Sequence, residues 1–263
     1  MTTAARTGAK SSRIVFELAR HDFNVRYSGS VFGALWAFVQ PVLTILLYLF
    51  IDQIGFRSNP PGTVPFVLWL IVGIAPWFFF VDGLTMTTAS FIEYSFLVKK
   101  VMFDVSIIPL VKLVSTSFIH IVVWLIVIVV LLASGVTPRL AWLQVPYYFL
   151  AMFALVLGLG RITAVLTPLF RDLGQIVGIA IQFGFWLTPV LWPLENAPAR
   201  FRGILQLNPV FYVVDGLRGA LLMDRSLFSD PSGMAWFWGM VIVIHLAALV
   251  LFAKARAVLA DVL

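Results

Sequence analysis

The residue types that support catalysis or metal binding are few in this chain and lie far apart. The three histidines are His21, His120 and His245, and there is no cysteine. Disulfides, iron–sulfur clusters and thiolate metal sites are therefore excluded, and no grouping of histidine, serine and acidic residues predicts catalysis. The nearest approach to a phosphate-binding loop, Gly8-Ala9-Lys10-Ser11, lacks the loop glycines. We therefore expect no catalytic residue, metal or cofactor in this chain.

The composition indicates an integral membrane protein. Of the 263 residues, 61% are hydrophobic and only 11% are charged, and the mean hydropathy is +1.01. A soluble fold of this size cannot bury so much apolar surface. The apolar runs are continuous rather than alternating, which favours helices over a transmembrane barrel. The formal net charge of +6 fits cytoplasmic loops that face anionic lipid rather than a nucleic-acid partner.

Six apolar segments follow an N-terminal region, and each is long enough to be a membrane span. We predict a cytoplasmic tail and interface helix over residues 1–30, a six-span transmembrane domain over 31–256 and a cytoplasmic tail over 257–263. Both termini are placed in the cytoplasm, because Lys and Arg are then more frequent in the inner loops. The predicted spans are 34–54, 64–81, 106–134, 141–166, 173–192 and 234–253.

Residues 13–27 have the spacing of an amphipathic helix. The polar residues Arg13, Glu17, Arg20 and Asn24 recur at helical intervals, and the apolar residues fall largely between them. We predict a helix that lies in the membrane interface. The alternative is a charged tail that merely precedes the first span.

Two connections between the spans are unusual. Residues 91–104 are too polar to cross a membrane and too apolar to be a simple connector, so they form either a short helix that docks on a cytosolic partner or a helix that rests on lipid headgroups. Residues 195–229 are divided by Asn208-Pro209 into two amphipathic pieces, each too short to cross about 30 Å of hydrocarbon. They form either a gate that lines a channel or an outer loop that caps the bundle.

Charged residues inside the apolar segments are rare. Asp82 and Lys112 lie near the inner ends of their predicted spans, where a long side chain reaches the interface. Arg161 lies deeper, where it would bind an anionic headgroup or pair with a neighbour. The alternative, which we favour, is that its span ends near Leu159 and leaves the arginine at the interface.

Aromatic residues crowd the predicted outer ends of several spans. Most of them fit the aromatic belt that membrane proteins have at the lipid–water boundary. Trp186 and Trp192 are candidate channel residues, because flat ring faces with a polar edge suit sugar rings that move past them.

Four motifs together resemble the ABC-2 type permeases that export polysaccharides. The motifs are Arg26–Trp36 (RYSGSVFGALW, followed by Gln40-Pro41), Phe170–Gln175 (FRDLGQ), Trp186–Val190 (WLTPV) and Leu207–Arg218 (LNPVFYVVDGLR). The resemblance extends over nearly all of residues 13–256, with the motifs in the family's order and spacing. It implies a six-span subunit of the inner membrane that pairs as a homodimer and binds two copies of a separate cytosolic ATPase.

The resemblance implies a transport role without catalysis in this chain, since ATP and Mg²⁺ would be held by the ATPase. The cargo would be a lipid-linked glycan such as O-antigen, capsule, teichoic acid or galactan. The family's coupling helix falls at about Glu93–Asp104, with candidate residues Glu93, Tyr94, Phe96, Lys99, Lys100 and Asp104. The outer gate helices would include Asn208, Pro209, Tyr212 and Arg218. Independently of the resemblance, we expect Arg20, Arg26 and Arg161 to approach the anionic lipid headgroup as basic residues near the interface; the resemblance does not decide the role of Arg161.

Three other functions stay open. An ABC-2 permease for a small amphiphile or drug would have the same fold and a narrower pathway. An intramembrane polyprenyl-glycan transferase needs paired acids or a histidine near one membrane face, and the sequence groups none there. A passive channel would need no ATPase partner.

Overall fold

The computed structural model describes residues 3–28, 31–51, 64–98 and 105–262, and all regular structure in these ranges is helical. The candidate coupling residues Lys99, Lys100 and Asp104 lie outside the described residues. The α-helices are α1 Thr3–Tyr27, α2 Trp36–Ile51, α3 Phe66–Glu93, α4 Ser95–Val98, α5 Ile108–Ala133, α6 Val145–Leu166, α7 Leu173–Leu187, α8 Ala199–Gln206, α9 Pro209–Leu222 and α10 Pro231–Val262.

Four of the described helices, α3, α5, α6 and α10, are long and apolar enough to cross a membrane. The helices α2 and α7 have 16 and 15 residues. At 1.5 Å per residue they are about 23 Å long, shorter than the roughly 30 Å of hydrocarbon. Helix α7 ends at Leu187 because Thr188 is extended, as the residue before a proline prefers to be. The six-span count therefore stays a prediction.

Helix α3 is longer than the second predicted span. That span is predicted at residues 64–81, whereas the helix continues for twelve residues to Glu93. The polar residues after residue 81 resemble the end of a span, but the hydroxyl groups of Thr87 and Thr88 donate to Gly83 and Leu84 carbonyls of their own helix. Because their hydrogen bonds are satisfied internally, these threonines do not end the helix, and Asp82 lies in its interior.

Helix α3 is the centre of the bundle and contacts α5, α6, α7 and α9. Its apolar residues form the main core with residues of α5, α6, α9 and α10. Helix α6 approaches it closely at Gly160, where an added Cβ would lie 2.1 Å from the Thr87 hydroxyl. One turn away, the hydroxyl oxygens of Thr88 and Thr163 are 2.7 Å apart. Small and hydroxyl-bearing residues are the usual means by which membrane helices pack closely.

The bundle has two different ends. At the first, which we call the α1 end, α1 lies against the beginning of α5, with Val15 and Ala19 packed on Val111. The rings of Phe16 and Phe23 meet Phe118 edge to face. At the other, which we call the α9 end, α9 packs against the beginnings of α3 and α6. The sequence predictions for partner docking concern the α1 end, and those for gating concern the α9 end.

Candidate functional site at the two ends of the bundle

At the α1 end, Asp22 is the centre of an ionic network that joins three elements. Lys112 of α5 donates to Asp22 Oδ1 over 2.6 Å and also pairs with Glu93 at the end of α3. The Tyr94 hydroxyl donates to the same Oδ1 over 2.8 Å, and Arg26 donates to Oδ2 over 3.1 Å. We call these five residues the Asp22 network; it connects α1, α5 and the start of the connection after α3.

The centre of the network is buried, and each of its acidic side chains is in contact with a basic one. The side chains of Asp22 and Lys112 are only 5% and 6% exposed. Burial alone would raise the pKa of Asp22, but the hydrogen bonds that its carboxylate accepts, that of Lys112 first, and the positive charge of Lys112 together outweigh burial and hold that pKa below its ordinary value. Burial and the Asp22 carboxylate raise the pKa of Tyr94. Asp22 is therefore a carboxylate and Tyr94 a neutral donor at neutral pH.

The candidate coupling residues divide into two kinds. Glu93 and Tyr94 contact the Asp22 network, so they are tied to the bundle. Phe96, on the short helix α4, is 59% exposed and is free to meet another surface. Phe96 is two residues from Tyr94, which belongs to the Asp22 network. A displacement of the exposed ring by a partner is therefore transmitted through that network to α1, α3 and α5.

The three arginines expected near a lipid headgroup lie in different environments. Arg20 is exposed on α1. Arg26 is paired with Asp22 and is not a free cation. Arg161 lies within α6, which continues to Leu166, so the helix itself does not end near Leu159, and the expectation that the membrane span ends there stays a prediction. The guanidinium of Arg161 makes no hydrogen bond or ion pair with any residue in the described part of the chain.

At the α9 end, the chain turns between α8 and α9 at Asn208-Pro209. Asn208 caps α9, because its Oδ1 accepts from the Val210 N–H over 3.0 Å. Its Nδ2 donates to the Thr188 hydroxyl, just after α7, over 2.7 Å. Pro209 takes the first position of the helix, where its missing N–H costs nothing. The turn therefore fixes α9 to the end of α7.

Arg218 is the second attachment of α9, and it is almost wholly buried. Its guanidinium donates to three main-chain carbonyls, those of Trp69 in α3 and of Pro189 and Val190 after α7. It also stacks on the Trp69 ring, with Cζ 3.3 Å from the ring centroid. Gly73 leaves the space that this group occupies, since a Cβ there would lie 2.0 Å from Arg218 Nη2.

Tyr212 joins α9 to α6 and α10. Its hydroxyl lies 2.9 Å from that of Tyr147, which in turn accepts from Trp238 Nε1 over 2.8 Å. Beside Tyr212 is a cavity of about 680 Å³, whose lining includes Trp69, Asp215 and Trp236. Aromatic faces and carboxylates thus meet on the side of α9 that faces the bundle.

The two tryptophans proposed for a channel do not lie in this cavity. Trp186 is 60% exposed at the end of α7. Trp192 is half-buried and lines a smaller, apolar cavity with Phe201. Nothing brings the two rings together within one protomer.

Several residues at the two ends escaped the sequence analysis. Asp22 carries one local signal, its i, i+4 spacing to Arg26, but its contact with Lys112 joins residues ninety positions apart. Trp69 and Gly73 read as ordinary core residues of an apolar helix. Their contacts with Arg218 depend on how α9 folds back, which no local pattern encodes.

Comparisons with known proteins agree with this architecture. The family described as "ABC-2 type transporter" matches residues 14–222. An O-antigen export system permease protein RfbA of Klebsiella pneumoniae is 29% identical, over 94% of this chain and 93% of its own length. The RfbA protein of Myxococcus xanthus is 28% identical over 83% of this chain and 84% of its own. The polysialic acid transport protein KpsM of Escherichia coli is 23% identical over 83% and 85%.

Proposed function

The chain belongs to the ABC-2 type transporter family, and from this we propose that it is the membrane permease of an ATP-driven polysaccharide exporter. The cargo is a lipid-linked glycan of the O-antigen type. The observation that supports this most directly is the match to O-antigen export permeases along 94% of the chain. The apolar helices fit a multi-pass protein of the inner membrane, with both termini in the cytoplasm.

ATP is hydrolysed by a separate subunit that docks at the α1 end. The exposed Phe96 ring supplies an apolar contact, and the Asp22 network behind it connects that contact to three helices. A displacement of α4 by the ATPase therefore moves α1, α3 and α5 together, as a rigid-body shift. Lys99, Lys100 and Asp104 extend the docking segment beyond the described residues.

Two copies of the permease enclose the pathway, in a dimer with six spans per subunit. Helix α7 has no buried residue, and an added Cβ at Gly174 or Gly178 would meet nothing within 4 Å. An apolar helix with an open face of small residues suits close packing against a second helix. We place α7 at the contact between the two subunits.

The glycan enters from the α1 end and leaves at the α9 end. Of the three arginines proposed to approach the lipid headgroup, Arg20 and Arg161 have no described ion-pair partner, and each basic residue near the surface is worth on the order of 1 kcal/mol for an anionic headgroup. At the exit, α8 and α9 form the gate, with Tyr212 and Arg218 holding α9 in place. Trp186 and Trp192 offer ring faces to passing sugars near the same end.

Deletion of the gene in its native host tests this function. Lipid-linked glycan is measured on both sides of the inner membrane. We expect finished glycan to accumulate inside while the cell surface loses it, with restoration by the wild-type gene. An unchanged surface with no accumulation, in a host without a second exporter, would make a small-amphiphile permease the better assignment. Co-purification of an ATPase with the protein would distinguish both permease assignments, glycan or small amphiphile, from a passive channel, which needs no ATPase.

A further inference from the structure

The exposed part of α3 is polar, although the helix is the most buried of the membrane-crossing candidates. Before its last turn only two of its residues are exposed, Asp82 and Thr85. Asp82 lies eleven residues from Glu93, about 16 Å along a helix whose whole length is about 42 Å. Asp82 therefore lies within the length of a helix that is a candidate membrane span, and not at either of its ends.

The other long helices expose a different kind of surface. In α5 every exposed residue is apolar, as at Ile126, and in α10 the same holds from Met234 to Ala253, as at Leu246. These are surfaces that lipid tails cover. A carboxylate on such a surface would cost several kcal/mol. The exposed positions of α3 therefore face something other than lipid.

His120 fixes the position of the Asp82 carboxylate. Its Nε2 donates to Asp82 Oδ2 over 2.9 Å, and its own side chain is 2% exposed while that of Asp82 is 51% exposed. The imidazole is packed against the Phe79 ring. Asp82 Oδ1 has no partner among the described residues, so one carboxylate oxygen is directed outwards and available.

No cation for this oxygen comes from the two apolar helices that are least buried in the described part of the chain. Helices α2 and α7, which are the least buried apolar helices of the protomer, contain no charged residue. Lys112 is already engaged in the Asp22 network. Helix α7 does expose two amides, Gln175 and Gln182, which are seven residues apart and therefore on one face. The polar faces of α3 and α7 fit a water-filled pathway.

We propose that Asp82, positioned by His120, lines the transport pathway and binds hydroxyl groups of the sugar units that pass it. A carboxylate oxygen is a strong acceptor for hydroxyl donors, and its negative charge disfavours anionic sugars at the same point. The site therefore takes neutral or amine-bearing glycan units. This inference rests on the proposed export function and assigns a binding residue within the pathway.

The first test asks whether position 82 is in contact with water. Because the chain has no cysteine, Asp82→Cys, Thr85→Cys, Ile126→Cys and Leu246→Cys each introduce one thiol. Each variant is treated, in membranes and with its ATPase bound, with a sulfonate-bearing methanethiosulfonate reagent. We expect the thiols at positions 82 and 85 to react at least tenfold faster than those at 126 and 246. Equal rates at all four positions would overturn the proposal.

The second test asks whether Asp82 binds the cargo. Asp82→Asn keeps an acceptor oxygen of the same size, whereas Asp82→Leu removes it. We expect the asparagine variant to export about threefold less surface glycan than wild type, because a neutral amide oxygen is a weaker acceptor than a carboxylate. The leucine variant is expected to lose at least tenfold, with both variants at normal membrane levels. Wild-type export by Asp82→Leu would refute a binding role.

The two tests separate this inference from the proposed function. Failure of the gene deletion to alter surface glycan would refute polysaccharide export and leave the labelling result intact. Fast labelling at position 82 together with export unaffected by Asp82→Leu would place the carboxylate in the pathway without contact to the cargo, which contradicts the inference alone. If the Asp82→Leu protein fails to accumulate in the membrane, the labelling rates at positions 82 and 85 still decide whether this part of α3 is in contact with water.

Discussion

Asp22 shows how one residue can hold a surface helix on a membrane bundle. Its two carboxylate oxygens accept from Lys112, Tyr94 and Arg26, so both oxygens are engaged. A buried ion pair gains little when it is whole, because desolvation cancels much of the attraction, but its loss leaves an uncompensated charge. The largest effect of Asp22 on stability is therefore expected when it is removed, because its loss leaves the buried charge of Lys112 without this partner.

We predict that Asp22→Asn destabilises the protein by about 3 kcal/mol, because Lys112 then remains buried with a weaker partner. The double variant Asp22→Asn, Lys112→Met is expected to be more stable than Asp22→Asn alone. The measurement is the unfolding midpoint of the purified complex in denaturant. Arg13→Gln is the control on the same helix, since the Arg13–Glu17 pair is exposed. Equal midpoints for Asp22→Asn and Arg13→Gln would contradict the prediction.

At the scale of the elements, α3 connects the two ends of the bundle. Its last residue, Glu93, pairs with Lys112 at the α1 end, and Trp69, near its first, receives Arg218 at the α9 end. Because this helix of 28 residues is attached by polar contacts at both ends, a displacement at one end of the bundle is transmitted along it to the other end. Helix α3 is therefore a continuous physical connection between the α1 end and the α9 end of the bundle.

We predict that Gly73→Ala displaces the Arg218 guanidinium and loosens α9. At least one hydrogen bond from a charged group is lost, which costs about 2 kcal/mol. Thermal unfolding and glycan export of the variant are compared with those of Gly239→Ala, whose added methyl group meets nothing within 4 Å. Should both glycine variants behave alike, Arg218 does not need the space beside Gly73.

We predict that Phe96→Asp abolishes export while the permease itself stays folded, because the new charge would be buried against the ATPase. ATPase association and export are measured together. Phe228→Asp is the matched control, since Phe228 is 70% exposed in the connection before α10, at the opposite end. Normal export by Phe96→Asp, with normal assembly, would exclude α4 as the docking element.

The sequence predicted the elements better than their contacts. Continuous apolar runs gave the positions of α3, α5, α6 and α10, because hydrocarbon length sets a strong constraint on helix length. The end of α3 was missed because threonines read as polar, although in a helix their hydroxyls bond to their own backbone. The Asp22 network and the Arg218 contacts were not predictable, since each joins segments that are far apart in the chain.

At the scale of the whole molecule, the apolar helix α7 contacts α3 but leaves most of its surface exposed. Helix α7 has no buried residue and opens with the spacing Gly174-x-x-x-Gly178. Its exposed glutamines, Gln175 and Gln182, are unsuited to lipid. These features are typical of a helix that completes its packing in an oligomer.

We predict that the thiol of Gly178→Cys forms a cross-linked dimer with a short bifunctional maleimide in native membranes. The chain has no other cysteine, so a dimer band reports this position alone. Val243→Cys, on the apolar face of α10, is expected to stay monomeric. Cross-linking that is equal at the two positions, or absent from both, would remove α7 from the subunit contact.

The Arg218 contacts also bear on how the protein is made. The three carbonyls that receive the guanidinium, those of Trp69, Pro189 and Val190, all precede Arg218 in the chain. Synthesis proceeds from the N-terminus, so the ribosome has produced the whole receiving site before it adds the arginine. Helix α9 is too short to cross the bilayer alone. It is synthesised after α3 and α7 and then docks on them.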